Sequence, residues 1–234
     1  MYKGTLYLIP SSLGNNDLNL TLPPKVLGII NEVDYYIVEN IKSAAAFLKE
    51  GGIKKKLQEL EFKVLNVNTR DEELYDYLNP ALEGHNIGII SEAGCPCIAD
   101  PGSKIVLLAH EKGIKVVPLT GPSSVILALM ASGLKGQSFT FHGYLPINQK
   151  ERKEKLLLLQ KEAFKGITQI FIEAPHRNDK LLADILAACS PELKLCLAVD
   201  LTMPDEYIQT KSIKLWANDF LTIGKKPAIF LICK

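Results

Sequence analysis

The stretch Ser91-Glu92-Ala93-Gly94-Cys95-Pro96-Cys97-Ile98-Ala99-Asp100-Pro101-Gly102 is the most unusual in this 234-residue sequence. Its small residues and prolines make a rigid backbone that can approach a ligand closely. Free N–H and C=O groups there would read an adenosine or an amino-acid moiety. Asp100 reads differently: aspartate before proline is a common helix start, so it is expected to cap the next helix. Pro10 to Asp17 is a second small, polar loop after an apolar run, but it lacks the GxGxxG that a dinucleotide site requires. A third group, Glu173-Ala174-Pro175-His176-Arg177, puts a carboxylate, an imidazole and one of three arginines within five residues. It reads equally as a functional group or as local polar residues at a helix start, with Glu173 pairing nearby. Cys95 and Cys97 have no second ligand pair, so no metal site is expected. Lys54-Lys55-Lys56 and the mixed charges of Lys150 to Lys155 read as solvated faces.

These loops need elements to hold them. The first half alternates short β-branched runs with helical patterns, the signature of parallel βαβ units. Strands are expected at Thr5 to Ile9, Asp34 to Val38, Phe62 to Val67, Asn86 to Ile90 and Lys115 to Pro118. Thr21 before Leu22-Pro23, and Thr69 with Glu72 three residues on, read as helix caps. An apolar helix, Val125 to Ser132, is stopped by Gly133. Beyond it come a strand at Ser138 to His142, a helix at Gln149 to Ala163, a strand at Thr168 to Glu173 and a helix at Asp179 to Cys189. Strands at Lys194 to Asp200, Glu206 to Ser212 and Ala228 to Cys233 complete the chain, with a hairpin across Leu201 to Asp205. The reading is α/β with two domains: 1–118 with a five-stranded parallel sheet and flanking helices, and 119–234 with a mixed sheet and helices. In an open parallel sheet ligands bind beyond the carboxyl ends of the strands, which makes the loops above the search area.

Composition narrows the function classes. There are 27 Lys+Arg against 26 Asp+Glu, and 47% of residues are hydrophobic, so no global charge draws the chain to nucleic acid. The apolar runs are too short for a membrane span, and the start lacks a secretory pattern, so a cytoplasmic protein is expected. Five scattered cysteines in apolar contexts read as reduced thiols.

With Gly121-Pro122-Ser123-Ser124 and Glu173 to Arg177, the Ser91 to Gly102 stretch resembles the tetrapyrrole methylase superfamily. Within it, the sequence is most similar to the type that methylates a cytidine ribose 2′-hydroxyl in small-subunit ribosomal RNA. The resemblance covers nearly the whole chain in motif order. It runs from Leu6 to Pro10 and Leu13-Gly14-Asn15, through Glu39-Asn40, the Gly94 loop, Val116-Val117-Pro118 and Gly143-Tyr144-Leu145-Pro146, to Leu201-Thr202. It departs at Glu39-Asn40-Ile41-Lys42, where the ribosomal type reads Glu-Asp-Thr-Arg, and lysine cannot replace a bidentate arginine. Glu92 and Cys95 stand where that type has Asp and Thr, and Val199-Asp200 where it has Arg-Glu.

The resemblance implies S-adenosylmethionine held in a cleft between the two domains, and a homodimer. It places the cofactor at Leu13, Ala93, Gly94, Cys95, Ile98, Ser123, Ser124, Glu173 and Leu201, with no metal. A ribose hydroxyl is unreactive at neutral pH, so a carboxylate that takes or orients its proton would help. Glu39 and Glu92, at the carboxyl ends of parallel strands, are the expected catalytic carboxylates, with Arg177 as a phosphate or cofactor-carboxylate contact. The expected partner is RNA of the small ribosomal subunit. A tetrapyrrole such as a precorrin or uroporphyrinogen is the alternative substrate, and a non-catalytic S-adenosylmethionine-binding module is a further alternative.

Overall fold

The structure is a computed structural model that describes residues 2–14, 17–219 and 221–234. The chain divides into two compact units, 1–123 and 124–234. The stretch after Pro118 is tied to the first unit: Leu119 N–H donates to Leu8 O, and the Cys95 thiol lies 3.4 Å from Pro122 O.

The first unit is built on five parallel strands: β1 (Thr5–Ile9), β2 (Tyr35–Val38), β3 (Glu61–Val64), β4 (Ile87–Ile90) and β5 (Lys115–Pro118). Their order is β3-β2-β4-β1-β5, and all four residues of the central strand β4 are buried. Connections leaving β1 and β2 run across the sheet in one direction, and those leaving β3 and β4 run in the other. Right-handed crossovers then put them on opposite faces. Helices α1 (Leu18–Thr21), α2 (Pro24–Ile29) and α3 (Ile41–Glu50) share a core with Ile9, Tyr36, Val38 and Ile90. Helices α4 (Leu74–Tyr77), α5 (Asn79–Leu82) and α6 (Ser103–Glu111) share another with Leu6, Ile37, Ile87 and Ile89. The exit of β4 thus lies between two neighbours whose chains leave to the other face, the arrangement that opens a crevice at the carboxyl ends.

Three expected helix starts are corrected. Thr21 is the last residue of α1, whose cap is Asp17; α2 begins only after Pro23. Thr69 caps nothing: its hydroxyl donates to Val64 O and accepts from Asn66 N–H, stapling the turn that ends β3 at Val64 rather than at Val67. Asp100 is not the cap of α6, which starts at Ser103 with Gly102 in the cap position and no side-chain cap bond. For Thr69 a turn partner took the side chain and for Asp100 a neighbouring carboxyl did.

The second unit has a mixed sheet of order β6-β7-β10-β8-β9. Its strands are β6 (Phe139–Tyr144), β7 (Thr168–Ile172), β8 (Lys194–Val199), β9 (Tyr207–Ser212) and β10 (Ala228–Cys233). Only β6 and β7 are parallel, and β8 and β9 form the expected antiparallel hairpin. Helices α8 (Gln149–Phe164), α9 (Asn178–Ala188) and α10 (Ile213–Trp216) bury Leu156, Leu182, Ile185 and Trp216 against Phe171, Phe230 and Leu197. The Trp216 indole N–H donates to Leu195 O at 2.8 Å, which satisfies its one polar atom in the core. Helix α7 (Ser124–Ser132) ends before Gly133, at φ 66°, and Ser132 O accepts from the Thr210 hydroxyl of β9. Among the described residues no helix is long and apolar enough to cross a membrane.

Candidate active site

Gly94 organises the loop after β4. It has φ 76°, and a Cβ there would lie 3.0 Å from Leu13 and 3.1 Å from Pro122 O. Glycine therefore lets the β1, β4 and β5 exit loops meet at backbone distance. Gly94 O accepts from Ser11 N–H at 3.0 Å and from the Ser91 hydroxyl at 2.9 Å, which fixes the loop against the end of β1. Leu13 and Cys95 are half-buried, while Ala93 and Ile98 are exposed. Five expected cofactor residues of this unit, Leu13, Ala93, Gly94, Cys95 and Ile98, thus lie in two loops bonded to one another. Ser123 is the unit's last residue. Asn15, part of the motif read in the β1 loop, lies outside the described residues.

A pocket of about 240 Å³ opens beside these loops, lined by Ser11 to Gly14, by Ser43 and Phe47 of α3, and by Glu92 and Ala93. Ser11, 5% exposed, lines it, and its buried hydroxyl has no hydrogen-bond partner among the described residues. Ser12, Ser43, Glu50 and Glu92 make the lining polar as well as apolar, which fits a ligand such as the expected cofactor or its acceptor. Asn40 caps α3 by accepting from Lys42 N–H, so the departure from the ribosomal pattern at 40 has a structural duty.

Glu92 lines this pocket, whereas Glu39 follows the neighbouring strand β2 and lines a smaller cavity with Asp100. The Glu92 carboxylate accepts from the Ser43 hydroxyl at 2.6 Å. Burial and the charge of Glu92 push the Glu39 carboxyl up. Asp100 joins them: burial first, then the negative charge of Glu39 and a hydrogen bond to it, push its carboxyl up to about 7. Sequence reasoning missed Asp100 because Asp-Pro is also the pattern of an ordinary helix start. Ser11 and Ser43 carried no signal beyond being small and polar.

The remaining expected residues belong to the second unit. Ser124 opens α7. Glu173, its side chain 1% exposed, is bonded to Arg177 and accepts from Ala174 N–H at 2.7 Å. Of the two readings of Glu173 to Arg177, local pairing describes what these side chains do in this structure. Leu201 is buried at the start of the β8–β9 connection, flanked by Asp200 and Thr202 at φ 50° and 70°.

The five thiols are free. Burial pushes Cys95 up and Cys97 to about 11. Since the thiolate is the reactive form, iodoacetamide at pH 7.5 is expected to alkylate both much more slowly than it does an exposed thiol peptide, as mass spectrometry of timed digests will report.

A parallel α/β unit with a glycine-organised exit loop, followed by a unit with a mixed sheet, is a fold that solved structures share. "Crystal structure of the methyltransferase CobJ" matches with a TM-score of 0.65 and 16% identity, covering 99% of this chain and 94% of that one. The conserved hypothetical protein APE0931 from Aeropyrum pernix K1 matches with a TM-score of 0.69 and 14% identity, covering 99% and 84%. Residues 5–215 match the family described as Tetrapyrrole (Corrin/Porphyrin) Methylases, and the chain belongs to that family. It is an S-adenosylmethionine-dependent methyltransferase. The Ribosomal RNA small subunit methyltransferase I of Vibrio cholerae serotype O1 is 38% identical over 204 residues, 87% of this chain and 67% of that protein. The protein of the same name from Haemophilus influenzae is 34% identical over 211 residues, 90% and 71%.

Proposed function

We propose that this methyltransferase modifies a ribose 2′-hydroxyl in small-subunit ribosomal RNA, in the cytoplasm and as a homodimer. The observation that carries the reading is the pairing of a cofactor-type loop at Gly94 with a carboxylate rim, Glu39 and Glu92, on the same sheet edge. A hydroxyl acceptor needs such a rim, because its proton must leave as the methyl arrives. The printed names of the relatives above point to the same substrate. S-adenosylmethionine supplies an electrophilic methyl group on a sulfonium sulfur. Leu13, Ala93, Gly94, Cys95, Ile98 and Ser123 of the first unit, with Ser124, Glu173 and Leu201 of the second, would hold it. Glu39 and Glu92 would serve the acceptor. Arg177 would contact a phosphate or the cofactor carboxylate only by sharing its guanidinium with Glu173.

The arginines argue against a tetrapyrrole acceptor, whose many carboxylates call for bidentate partners. All three are already paired: Arg70 with Glu73, Arg152 with Asp184 and Arg177 with Glu173. Exposed Ile126 and Met130 on α7, and Phe139 and Tyr144 on β6, offer apolar surface for a second copy.

The test is transfer of labelled methyl to small ribosomal subunits from cells lacking the endogenous methylase, with free small-subunit rRNA and uroporphyrinogen in parallel. Label in the RNA, resistant to alkaline hydrolysis as a 2′-O-methyl group is, is the expected result. Label in uroporphyrinogen alone, or cofactor binding by calorimetry without transfer to any of the three, would overturn the reading. Light scattering on a gel-filtration column reports the dimer.

A further inference from the structure

Asp100 sits where a helix cap is expected and does something else. The loop leading to it takes left-handed backbone at two non-glycine residues, Cys97 at φ 67° and Ala99 at φ 62°. Each such residue costs free energy that the surrounding structure must supply. The result is that Asp100 is returned to the end of β2, where its carboxyl meets that of Glu39.

Two oxygens of the pair, Glu39 Oε1 and Asp100 Oδ2, are buried with no hydrogen-bond partner from any N–H or O–H group among the described residues. Two carboxylates so placed repel each other, whereas one proton between them makes a strong hydrogen bond. The cavity they share with Pro96, Cys97 and apolar Val38 and Leu65 measures about 10 Å³, room for a single water. Asp100 therefore acts through Glu39, whose carboxyl also feels the charge of Glu92 at the larger pocket. The titratable groups facing the pair are Glu92 and Cys97.

We propose that Asp100 is a positioning residue for methyl transfer: together with Glu39 it forms a proton-sharing pair that receives the proton of the acceptor hydroxyl. The inference rests on the reading of a ribose hydroxyl as acceptor. The hydroxyl's O–H bond breaks with its proton going to Glu39, and the oxygen's electron pair forms the bond to the methyl carbon. The carbon–sulfur bond breaks with its pair going to sulfur, which leaves as a neutral thioether. The proton then rests between Glu39 and Asp100 until solvent removes it.

An isolated glutamate, at about 4.3, holds a proton weakly at neutral pH. The pair holds its last proton to about 7, and a base matched to the working pH is the more effective one. The sign follows. Below about 7 the pair already carries its proton and cannot take another readily; above it the pair is free, so the transfer rate rises through neutral pH and then levels.

Asp100→Asn keeps the shape and removes the shared proton. Two readouts decide. In ¹³C NMR of carboxyl-labelled protein without cofactor or RNA, wild type should show a carboxyl titrating near pH 7. That signal should be lost in Asp100→Asn and should move down in Glu39→Gln, where the burial of Asp100 remains but the charge beside it is gone. In single-turnover transfer, the acid limb of the wild-type rate should move down by about two pH units in Asp100→Asn, toward an ordinary glutamate, with the plateau about 10- to 100-fold lower. A wild type without a carboxyl titrating near 7, or a folded Asp100→Asn with an unmoved limb, overturns the pairing. Glu39→Gln at the wild-type rate overturns instead the reading of the rim as the acceptor's base, and NMR still reports the pair in that event.

Discussion

Replacing Arg152 with methionine is expected to destabilise the second unit by about 3–5 kcal/mol, because it strands a buried charge. Its side chain is 2% exposed and that of Asp184 is 12% exposed. The guanidinium Nε donates to Asp184 Oδ2 at 2.8 Å, and Nη1 donates to Pro146 O at 3.0 Å and to Ile147 O at 2.7 Å. One side chain thus holds α8 to α9 and ties both to the loop after β6. At this size the loss lowers the melting temperature by about 10 °C, which differential scanning calorimetry will measure. Adding Asp184→Leu should recover much of the loss, since a buried ion pair is often replaced by packed apolar groups at little cost. If the single variant melts with wild type, the burial argument fails. The same contacts, with its burial, remove Arg152 from any role at a ligand.

Gly94→Val should abolish measurable cofactor binding while leaving the fold intact. A β-branched residue at φ 76° costs about 1–3 kcal/mol in backbone strain alone. In addition, its Cβ meets Leu13 and Pro122 O at 3.0 and 3.1 Å. The loop must open to relieve both, which separates the exit loops of β1, β4 and β5. Each 1.4 kcal/mol is a factor of ten in affinity, so strain alone predicts a loss of about ten- to a hundredfold. Gly94→Ala, with the same φ penalty and less bulk, should fall between the two. Isothermal titration with S-adenosylmethionine gives the ranking. Equal affinities for all three proteins would mean that the Gly94 loop does not contact the cofactor.

The carboxylate pair also leaves a mark on stability. Asp100 is pushed up by burial and by Glu39, so its ionisation is disfavoured in the folded state. The contribution of this group falls as pH rises from about 4 in the unfolded chain through about 7, and stays constant above. Asp100→Asn should flatten that part of the stability profile.

Local pattern was enough for the elements. β1, β5 and β10 begin and end where alternation and punctuation place them, and most other boundaries shift by a residue or two, because strand and helix periods are written in neighbouring side chains. The Gly94 loop was legible for the same reason: its small residues and prolines are adjacent in the chain. Side-chain partners were not legible in this way. Thr21, Thr69 and Asp100 all carry the residue types of caps, yet Thr21 ends a helix, and Thr69 and Asp100 were taken over by other arrangements. The strand order β3-β2-β4-β1-β5 likewise appears nowhere in local periodicity, yet it sets the exits of β2 and β1 on either side of β4. The sequence by itself determined that an α/β methyltransferase with a rigid glycine loop would form. Only the tertiary structure decided that Glu39 and Asp100, remote in the chain, would meet in a cavity the size of one water, because proton affinity depends on burial and on neighbouring charge, and both are properties of packing.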